Sequence, residues 1–126
     1  MDKKKILIID DEENFCKLAK KNIEKTGEFE VSIATDGEEG IRLAREIKPD
    51  LVLLDIVMPG MDGADVANLI RSDAIIKDTP VVFLTAIVRE KEVDSKPDLT
   101  MGYSVLAKTV TVEELLKCIR ENARIC

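Results

Sequence analysis

Short apolar runs alternate along the chain with longer segments in which apolar residues recur at every third or fourth position. The runs predict β-strands, because they are short and rich in Ile, Val and Leu. The predicted strands are Ile6–Ile9, Leu51–Leu54, Pro80–Leu84 and Tyr103–Leu106. Glu30–Ala34 is also predicted to be a strand, because its polar and apolar residues alternate. Leu51–Leu54 is apolar throughout, which is typical of a strand buried on both faces.

Helices are predicted between the strands from apolar spacing and from residues that begin or end a helix. The end signals are Gly27 and Pro49, and the capping residues at helix starts are Asp36, Asp62 and Thr111. The segment from residue 89 to residue 102 has no clear helical pattern, and Pro97 would end a helix begun there. We therefore expect the fourth of five helices to be short or irregular.

A strand followed by a helix, repeated five times, predicts an α/β fold with a parallel sheet covered by helices on both faces. Right-handed crossover connections restrict the order of the strands. In such doubly wound sheets, ligands bind at the carboxyl ends of the strands, near the point where the strand order reverses. The residues that follow each strand are therefore the first candidates for chemistry.

Length and composition fit one ordinary domain spanning residues 1–126, with 45% hydrophobic and 35% charged residues. The net charge of −6 would repel a nucleic-acid backbone. Apolar runs fall well short of the 18 or so residues of a membrane span. The run Ile6–Ile9 stops at an acidic stretch, so it lacks the core of a signal peptide. We expect a cytoplasmic protein that binds neither membrane nor DNA directly.

The cysteines and the absence of histidine exclude several kinds of site. The three cysteines, at positions 16, 118 and 126, have no metal-binding spacing, and the chain has no histidine. The sequence therefore predicts neither a zinc site nor catalysis by a Ser-His or Cys-His pair. We expect reduced thiols, with Cys16 and Cys118 packed in helices.

Polar side chains collect at the ends of the predicted strands. Asp10 and Asp11 end the first strand, Asp55 the third and Thr85 the fourth, and Lys108 follows the fifth. Each one alone has an ordinary explanation, since an Asp often caps a helix, a Thr favours strands and a Lys is usually a solvated charge. Because parallel strands bring these ends to one edge of the sheet, their convergence favours a functional cluster.

Three carboxylates at one edge repel one another, and a hard divalent cation relieves that repulsion. An all-oxygen site without His or Cys suits Mg²⁺ with several waters retained. Lys108, the Thr85 hydroxyl and main-chain N–H groups near Asp55 and Ala86 would then stabilise the oxygens of a phosphoryl group. Asp55 lies between the two flanking groups of residues and is the candidate nucleophile.

Four sequence motifs resemble the receiver domain of two-component response regulators, the CheY-like family. They are Ile-Leu-Ile-Ile-Asp-Asp-Glu at 6–12, Leu-Leu-Asp-Ile-Val-Met-Pro-Gly-Met-Asp-Gly at 53–63, Leu-Thr-Ala at 84–86 and Lys108. The resemblance covers essentially the whole chain. It implies a flavodoxin-like sheet of order 2-1-3-4-5. It also implies a switch domain rather than an enzyme acting on an external substrate.

The resemblance further implies roles for individual residues. Asp55 would accept the phosphoryl group, and Asp10, Asp11, Asp55 and the carbonyl of Val57 would bind Mg²⁺. Thr85, Ala86 and Lys108 would contact the phosphoryl group.

The implied partners are a sensor histidine kinase or a histidine phosphotransfer protein as donor. A downstream protein effector or a fused output domain would read the phosphorylated surface. A homodimer formed on phosphorylation is also compatible with the resemblance.

The chain departs from the family pattern beside Lys108. Thr109 stands where the family usually has a proline in a cis peptide, and a cis bond before a non-proline residue costs about 3–4 kcal/mol. We therefore predict a trans peptide between Lys108 and Thr109. Val105 stands where the family often has an aromatic residue, with Tyr103 two positions earlier.

Two apolar residues suggest a long-lived phosphorylated state. Val57 and Ile87 lie two residues after Asp55 and Thr85, and neither side chain can orient a water molecule. We therefore predict slow self-dephosphorylation.

Three alternatives stand beside this interpretation. A phosphatase of the haloacid dehalogenase type would need an Asp two residues after the nucleophile, and Val57 is there. A nucleotide-binding domain would need a glycine-rich phosphate loop, and GxGxxG and GxxxxGK[ST] are absent. The third alternative is a receiver-like interaction module that is not phosphorylated.

Overall fold

The computed structural model describes residues 3–86 and 103–123. The strands are β1 (Lys4–Ile9), β2 (Phe29–Ala34), β3 (Leu51–Asp55), β4 (Val81–Thr85) and β5 (Ser104–Ala107). The helices within the described ranges are α1 (Glu13–Glu24), α2 (Gly37–Ile47), α3 (Gly63–Ser72) and α4 (Val112–Asn122). All strand pairs are parallel, and the order is β2-β1-β3-β4-β5. The predicted fold class and strand order are confirmed.

The sheet has a hydrophobic core on each of its faces, because successive side chains of a strand point to opposite sides. On one face, Ile6, Ile8, Leu51 and Leu53 pack with buried residues of α1 and α4. On the other face, residues of the same strands pack with α2 and α3; they are Leu7, Ile9, Val52 and Leu54. This two-sided burial explains why the interiors of β1 and β3 are continuously apolar.

Three helices begin at the capping residues that the sequence predicted. The Asp36 carboxylate accepts a hydrogen bond from the Glu39 N–H at 2.8 Å at the start of α2. Reciprocal capping boxes begin the other two helices, Asp62 with Asp65 in α3 and Thr111 with Glu114 in α4. Each cap satisfies main-chain donors that the first turn of a helix leaves without a partner.

Each strand differs from its predicted range by one or two residues at one or both ends. Lys4 and Lys5 belong to β1, which was predicted to begin at Ile6. Their main chain pairs with Phe29 and Glu30 of β2, and such pairing needs no apolar side chain. Strand β5 begins at Ser104 rather than Tyr103.

Some predictions fall partly or wholly outside the described residues. The short fourth helix, Pro97 and Cys126 all lie there. Cys16 is buried and Cys118 partly buried, and both thiols are free, as predicted. Among residues 3–86 and 103–123, no helix is long and apolar enough to cross a membrane.

The β2 edge of the sheet carries a side-chain contact on its main chain. The Val31 N–H donates a hydrogen bond to the Glu24 carboxylate at 3.0 Å. Glu24 is the last residue of α1, so the end of this helix lies against the outer strand. The contact gives a main-chain donor of an edge strand a partner within the domain.

Candidate functional site

Strand register brings the predicted polar residues to one edge of the sheet. Ile9 of β1 lies beside Leu54 of β3, so Asp10 and Asp55 follow at the same level. Thr85 of β4 lies beside Ala107 of β5, and Lys108 comes next. Two hydrogen bonds extend the ladder past the strand ends, from the Ile56 N–H to the Leu84 carbonyl and from the Lys108 N–H to the Thr85 carbonyl.

Asp10, Asp11 and Asp55 form an acidic cluster in which one carboxylate oxygen of each residue lies within 4.8 Å of the others. Asp10 is fully buried and Asp55 is 5% exposed, while Asp11 is exposed to solvent. The Asp11 side chain does not cap α1, because the N-cap residue is Glu12 and no side chain caps that helix. The ordinary explanation for Asp11 as a helix cap is therefore wrong.

The two carboxylate oxygens of Asp10 differ in their hydrogen bonding. Oδ1 accepts a hydrogen bond from the Glu12 N–H at 2.9 Å. Oδ2 is buried and, among the described residues, accepts no hydrogen bond of good geometry. The Lys108 ammonium lies 2.8 Å from it, so this oxygen is held by charge. A buried carboxylate oxygen in this condition suits a cation.

Burial raises the pKa of the Asp55 carboxyl to about 7, and the negative charge of Asp10 adds to the rise. The positive charge of Lys108 and its hydrogen bond oppose it. The folded domain therefore binds a proton at Asp55 far more tightly than an exposed carboxylate would, unless a further positive charge is supplied.

The Lys108 ammonium joins the two sides of the site. Its Nζ lies 2.6 Å from Glu12 Oε1, 2.8 Å from Asp10 Oδ2 and 3.4 Å from Asp55 Oδ2. It also lies 5.1 Å from the centre of the Phe15 ring, within the range of a cation–π interaction. Burial lowers the pKa of Lys108, but its close contacts with the carboxylates of Asp10 and Glu12 outweigh burial and raise the pKa above its ordinary value.

A cleft of about 330 Å³ opens above these groups. Its lining residues are Asp11, Glu12, Asp55, Ile56, Val57, Thr85, Ala86 and Lys108. The predicted site residues therefore meet at one opening, with Asp10 buried beneath. The Val57 side chain is apolar and is 76% exposed.

The backbone beside Asp55 approaches α3 so closely that only glycine fits there. A Cβ atom on Gly63 would lie 2.4 Å from the Asp55 carbonyl oxygen and 2.9 Å from Ile56 Cα. The Gly63 N–H donates a hydrogen bond to the Ile56 carbonyl at 2.8 Å. The start of α3 is thereby fixed against the segment that carries Asp55.

Sequence reasoning missed three contributors to this site. Glu12 and Phe15 contact the Lys108 ammonium, and the Cys16 thiol donates to the Asp10 carbonyl at 3.3 Å. Phe15 lies in the first turn of α1, which begins two residues after Asp11, and that nearness to the cluster was the only signal for it in the sequence. Glu12 follows the acidic pair directly, but no local pattern links it to a residue 96 positions away.

The predicted departures from the family pattern are visible beside Lys108. No described residue follows a cis peptide, so the Lys108–Thr109 bond is trans, as predicted. The Tyr103 ring packs edge-on against Phe83 with 5.5 Å between ring centres. The Arg71 guanidinium lies 5.6 Å from the centre of the Tyr103 ring. The aromatic residue near β5 therefore packs through Tyr103, and Val105 occupies the position nearer the site.

A five-stranded parallel sheet with this strand order and an acidic cluster beside a lysine at its carboxyl edge define a class of small doubly wound α/β domains. Residues 6–120 match the family described as "Response regulator receiver domain". The chain belongs to that family, and its resemblance to two-component receivers is confirmed.

Relatives and solved structures agree with this family. The chain is 38% identical over 99 residues to the alkaline phosphatase synthesis transcriptional regulatory protein PhoP of Bacillus subtilis. That match covers 79% of this chain and 39% of the relative, so the chain spans about two fifths of PhoP.

Two solved structures superpose on nearly the whole chain. The chemotaxis protein CheY4 of Vibrio cholerae is 26% identical with a TM-score of 0.82, covering 95% of this chain and 98% of that one. The signal receiver domain of NarL from Mycobacterium tuberculosis is 29% identical with a TM-score of 0.81, covering 96% of each chain.

Proposed function

We propose that this receiver domain, spanning residues 1–126, accepts a phosphoryl group on Asp55 and thereby switches its surface for signalling. The observation that carries the proposal is the position of the Asp55 carboxylate, which borders the cleft, belongs to the acidic cluster and lies 3.4 Å from the Lys108 ammonium. The domain would catalyse only its own phosphorylation and dephosphorylation.

The proposed transfer is a displacement at phosphorus. An Asp55 oxygen forms a bond to phosphorus while the bond between phosphorus and a histidine nitrogen of the donor breaks. The electron pair of that bond stays on the departing imidazole. The 126 residues contain no histidine, so the donor is another protein or another part of a longer one. A sensor histidine kinase or a histidine phosphotransfer protein fits this requirement.

Residues of this chain would stabilise the transferred group by charge and hydrogen bonds. The Lys108 ammonium, already 3.4 Å from Asp55 Oδ2, would neutralise one phosphoryl oxygen. The Thr85 hydroxyl and the Ala86 N–H would donate to others, since both residues line the cleft. Asp55 must be ionised to attack, so the pKa near 7 argues for an added cation during transfer.

The acidic cluster fits Mg²⁺ as that cation. Oxygen ligands alone are available, and Asp10 Oδ2 is buried without a hydrogen bond of good geometry among the described residues. Asp10, Asp11 and Asp55 would hold the ion, with the Val57 carbonyl as a further ligand. The bound ion would supply positive charge that offsets carboxylate repulsion and the charge on the phosphoryl oxygens.

The phosphorylated state should be long-lived. The exposed Val57 side chain lines the cleft beside Asp55 and offers no group that could orient an attacking water. Ile87, the other residue in this prediction, lies outside the described residues. Decay of the phosphoprotein within seconds, without a phosphatase, would contradict the prediction.

The test uses acetyl phosphate as donor and intact-mass spectrometry as readout. With Mg²⁺, the protein should gain one phosphoryl group, and the gain should be absent from Asp55→Asn and from samples containing EDTA. Asp78→Asn makes the same chemical change at an exposed position away from the site and should be phosphorylated normally. No adduct under any condition would favour an interaction module that is not phosphorylated.

The reading partner is proposed from the relatives. PhoP is by name a transcriptional regulatory protein, and this chain spans about two fifths of it. A fused output domain or a separate protein effector would therefore bind the surface that changes on phosphorylation. We propose that this takes place in the cytoplasm. The phosphorylated domain could act as a homodimer. The net charge of −6 opposes direct nucleic-acid binding by this domain itself.

A further inference from the structure

The carboxylate nearest to the Lys108 ammonium does not belong to the acidic cluster. Glu12 Oε1 lies 2.6 Å from Nζ, closer than Asp10 Oδ2 at 2.8 Å and Asp55 Oδ2 at 3.4 Å. The exposed fraction of the Glu12 side chain is 58%, against 8% for the lysine. Lys108 is thus a buried cation whose shortest contact reaches out to a solvated residue.

The main chain of Glu12 is fixed while its side chain is free for this contact. The Glu12 N–H donates to Asp10 Oδ1 at 2.9 Å, and its carbonyl accepts from the Cys16 N–H at 3.1 Å. Glu12 is the N-cap of α1, yet its carboxylate does not cap the helix. Ser, Thr, Asp or Asn usually takes that position, because a short side chain reaches the N–H groups of the first turn. Glu12 instead turns toward Lys108.

An ammonium group has three N–H donors, and three carboxylates surround Lys108. A phosphoryl group arriving on Asp55 brings oxygens that need the same donors. Asp10 cannot release the ammonium cheaply, because its Oδ2 is buried and has no other good partner among the described residues. Glu12 can release the ammonium at little cost in free energy, because water replaces the lysine at an exposed carboxylate.

We propose that Glu12 is a positioning residue that holds the Lys108 ammonium back from Asp55 and releases it when a phosphoryl group arrives. This inference rests on the proposed phosphorylation of Asp55. It predicts that Glu12 lowers the rate at which Asp55 is phosphorylated in the wild-type domain. Loss of the Glu12 charge should free the ammonium to meet the incoming group sooner.

The test compares Glu12→Gln with Glu13→Gln in phosphorylation by acetyl phosphate and Mg²⁺. An oxygen of Asp55 takes the phosphoryl group and acetate leaves with the bonding pair, so no further reactant is needed. Releasing a half-exposed ion pair is worth about a five-fold rate increase. We expect that increase in Glu12→Gln, whereas Glu13→Gln, the same charge change at the next exposed residue, should show only a small field effect.

A double-mutant cycle separates the effect of the Glu12–Lys108 contact from the general effect of removing a negative charge near the site. In a Lys108→Met background, Glu12→Gln should change the rate no more than Glu13→Gln does, because the contact no longer exists. A five-fold effect that persists without Lys108 would overturn the inference. A phosphorylation rate of Glu12→Gln that is equal to or lower than that of the wild type would also overturn it.

A second readout does not depend on phosphoryl transfer. In protein labelled with ¹⁵N at lysine Nζ, without donor or metal, the Lys108 ammonium signal should shift and its protons should exchange faster in Glu12→Gln than in Glu13→Gln. An unchanged Lys108 signal in Glu12→Gln would refute the proposal that Glu12 holds the ammonium in place. If wild-type protein gains no phosphoryl group at all, the proposed function fails instead, and the ammonium signal still tests the contact.

Discussion

Replacing Asp55 with Asn should stabilise the metal-free domain at neutral and alkaline pH. Burial, with the charge of Asp10, raises the pKa of Asp55 from 3.8 to about 7. The unfolded chain keeps the ordinary value. Because Asn resembles the protonated carboxyl, the variant avoids the cost of ionising a buried group beside another carboxylate.

The cost follows from the two pKa values. It is about 4 kcal/mol at pH 8, about 2 kcal/mol at pH 5 and well under 1 kcal/mol at pH 3.8, the ordinary value. Between pH 3.8 and about 7, the unfolded chain loses the proton while the folded chain keeps it, so the wild type loses stability relative to the variant as pH rises. Above about 7 both states are ionised and the difference becomes constant.

Urea unfolding in EDTA at several pH values measures this difference. Far-UV circular dichroism is the suitable probe, because the chain has no tryptophan. Asp78→Asn, at an exposed position, should leave the free energy of unfolding nearly unchanged at every pH. Saturating Mg²⁺ should narrow the gap between wild type and Asp55→Asn, since the ion relieves the repulsion. A gain that is independent of pH, or a variant less stable than wild type at pH 8, would refute the reasoning.

Three further measurements test other parts of the structure. Gly63→Ala should lower the free energy of unfolding by about 1–3 kcal/mol, because the added Cβ meets the Asp55 carbonyl; unchanged urea unfolding would contradict that close approach. Lys48→Gly should raise it by about 0.5–1 kcal/mol, since Lys48 ends α2 with φ of 50°. Lys25→Gly, at a helix end with φ of −59°, is the matched control and should not stabilise. Burial raises the pKa of Cys16 to about 12, so iodoacetamide at pH 8 should spare Cys16 until urea is added; rapid labelling of the native protein, seen by peptide mass spectrometry, would contradict its burial.

Sequence pattern alone predicted the features that depend on neighbouring residues. The buried strand predicted at Leu51–Leu54 and the caps at Asp36, Asp62 and Thr111 rest on local signals. The structure has each of them, with the strand extended by one residue to Asp55. The gathering of Asp10, Asp55, Thr85 and Lys108 at one edge followed from a general property of parallel sheets. The strand order came from the resemblance to a family and not from the pattern.

Features that depend on distant parts of the chain were not predictable in this way. The Glu12–Lys108 contact joins residues 96 positions apart, and its existence depends on where β5 ends relative to α1. The inclusion of Lys4 and Lys5 in β1 was missed for a different reason. Apolar pattern detects buried side chains, whereas these residues are joined to β2 by the main chain.

The contact between Glu24 and the Val31 N–H bears on how copies of this domain avoid one another. An outer strand with open main-chain donors invites strand addition by a neighbouring molecule, which is a route to aggregation. Here the donor of β2 is already bonded to a side chain of the same domain at 3.0 Å. A second chain that paired along this edge would first have to displace the Glu24 carboxylate from the Val31 N–H. The end of α1 thus blocks one main-chain position on this border of the sheet and makes strand addition there less favourable.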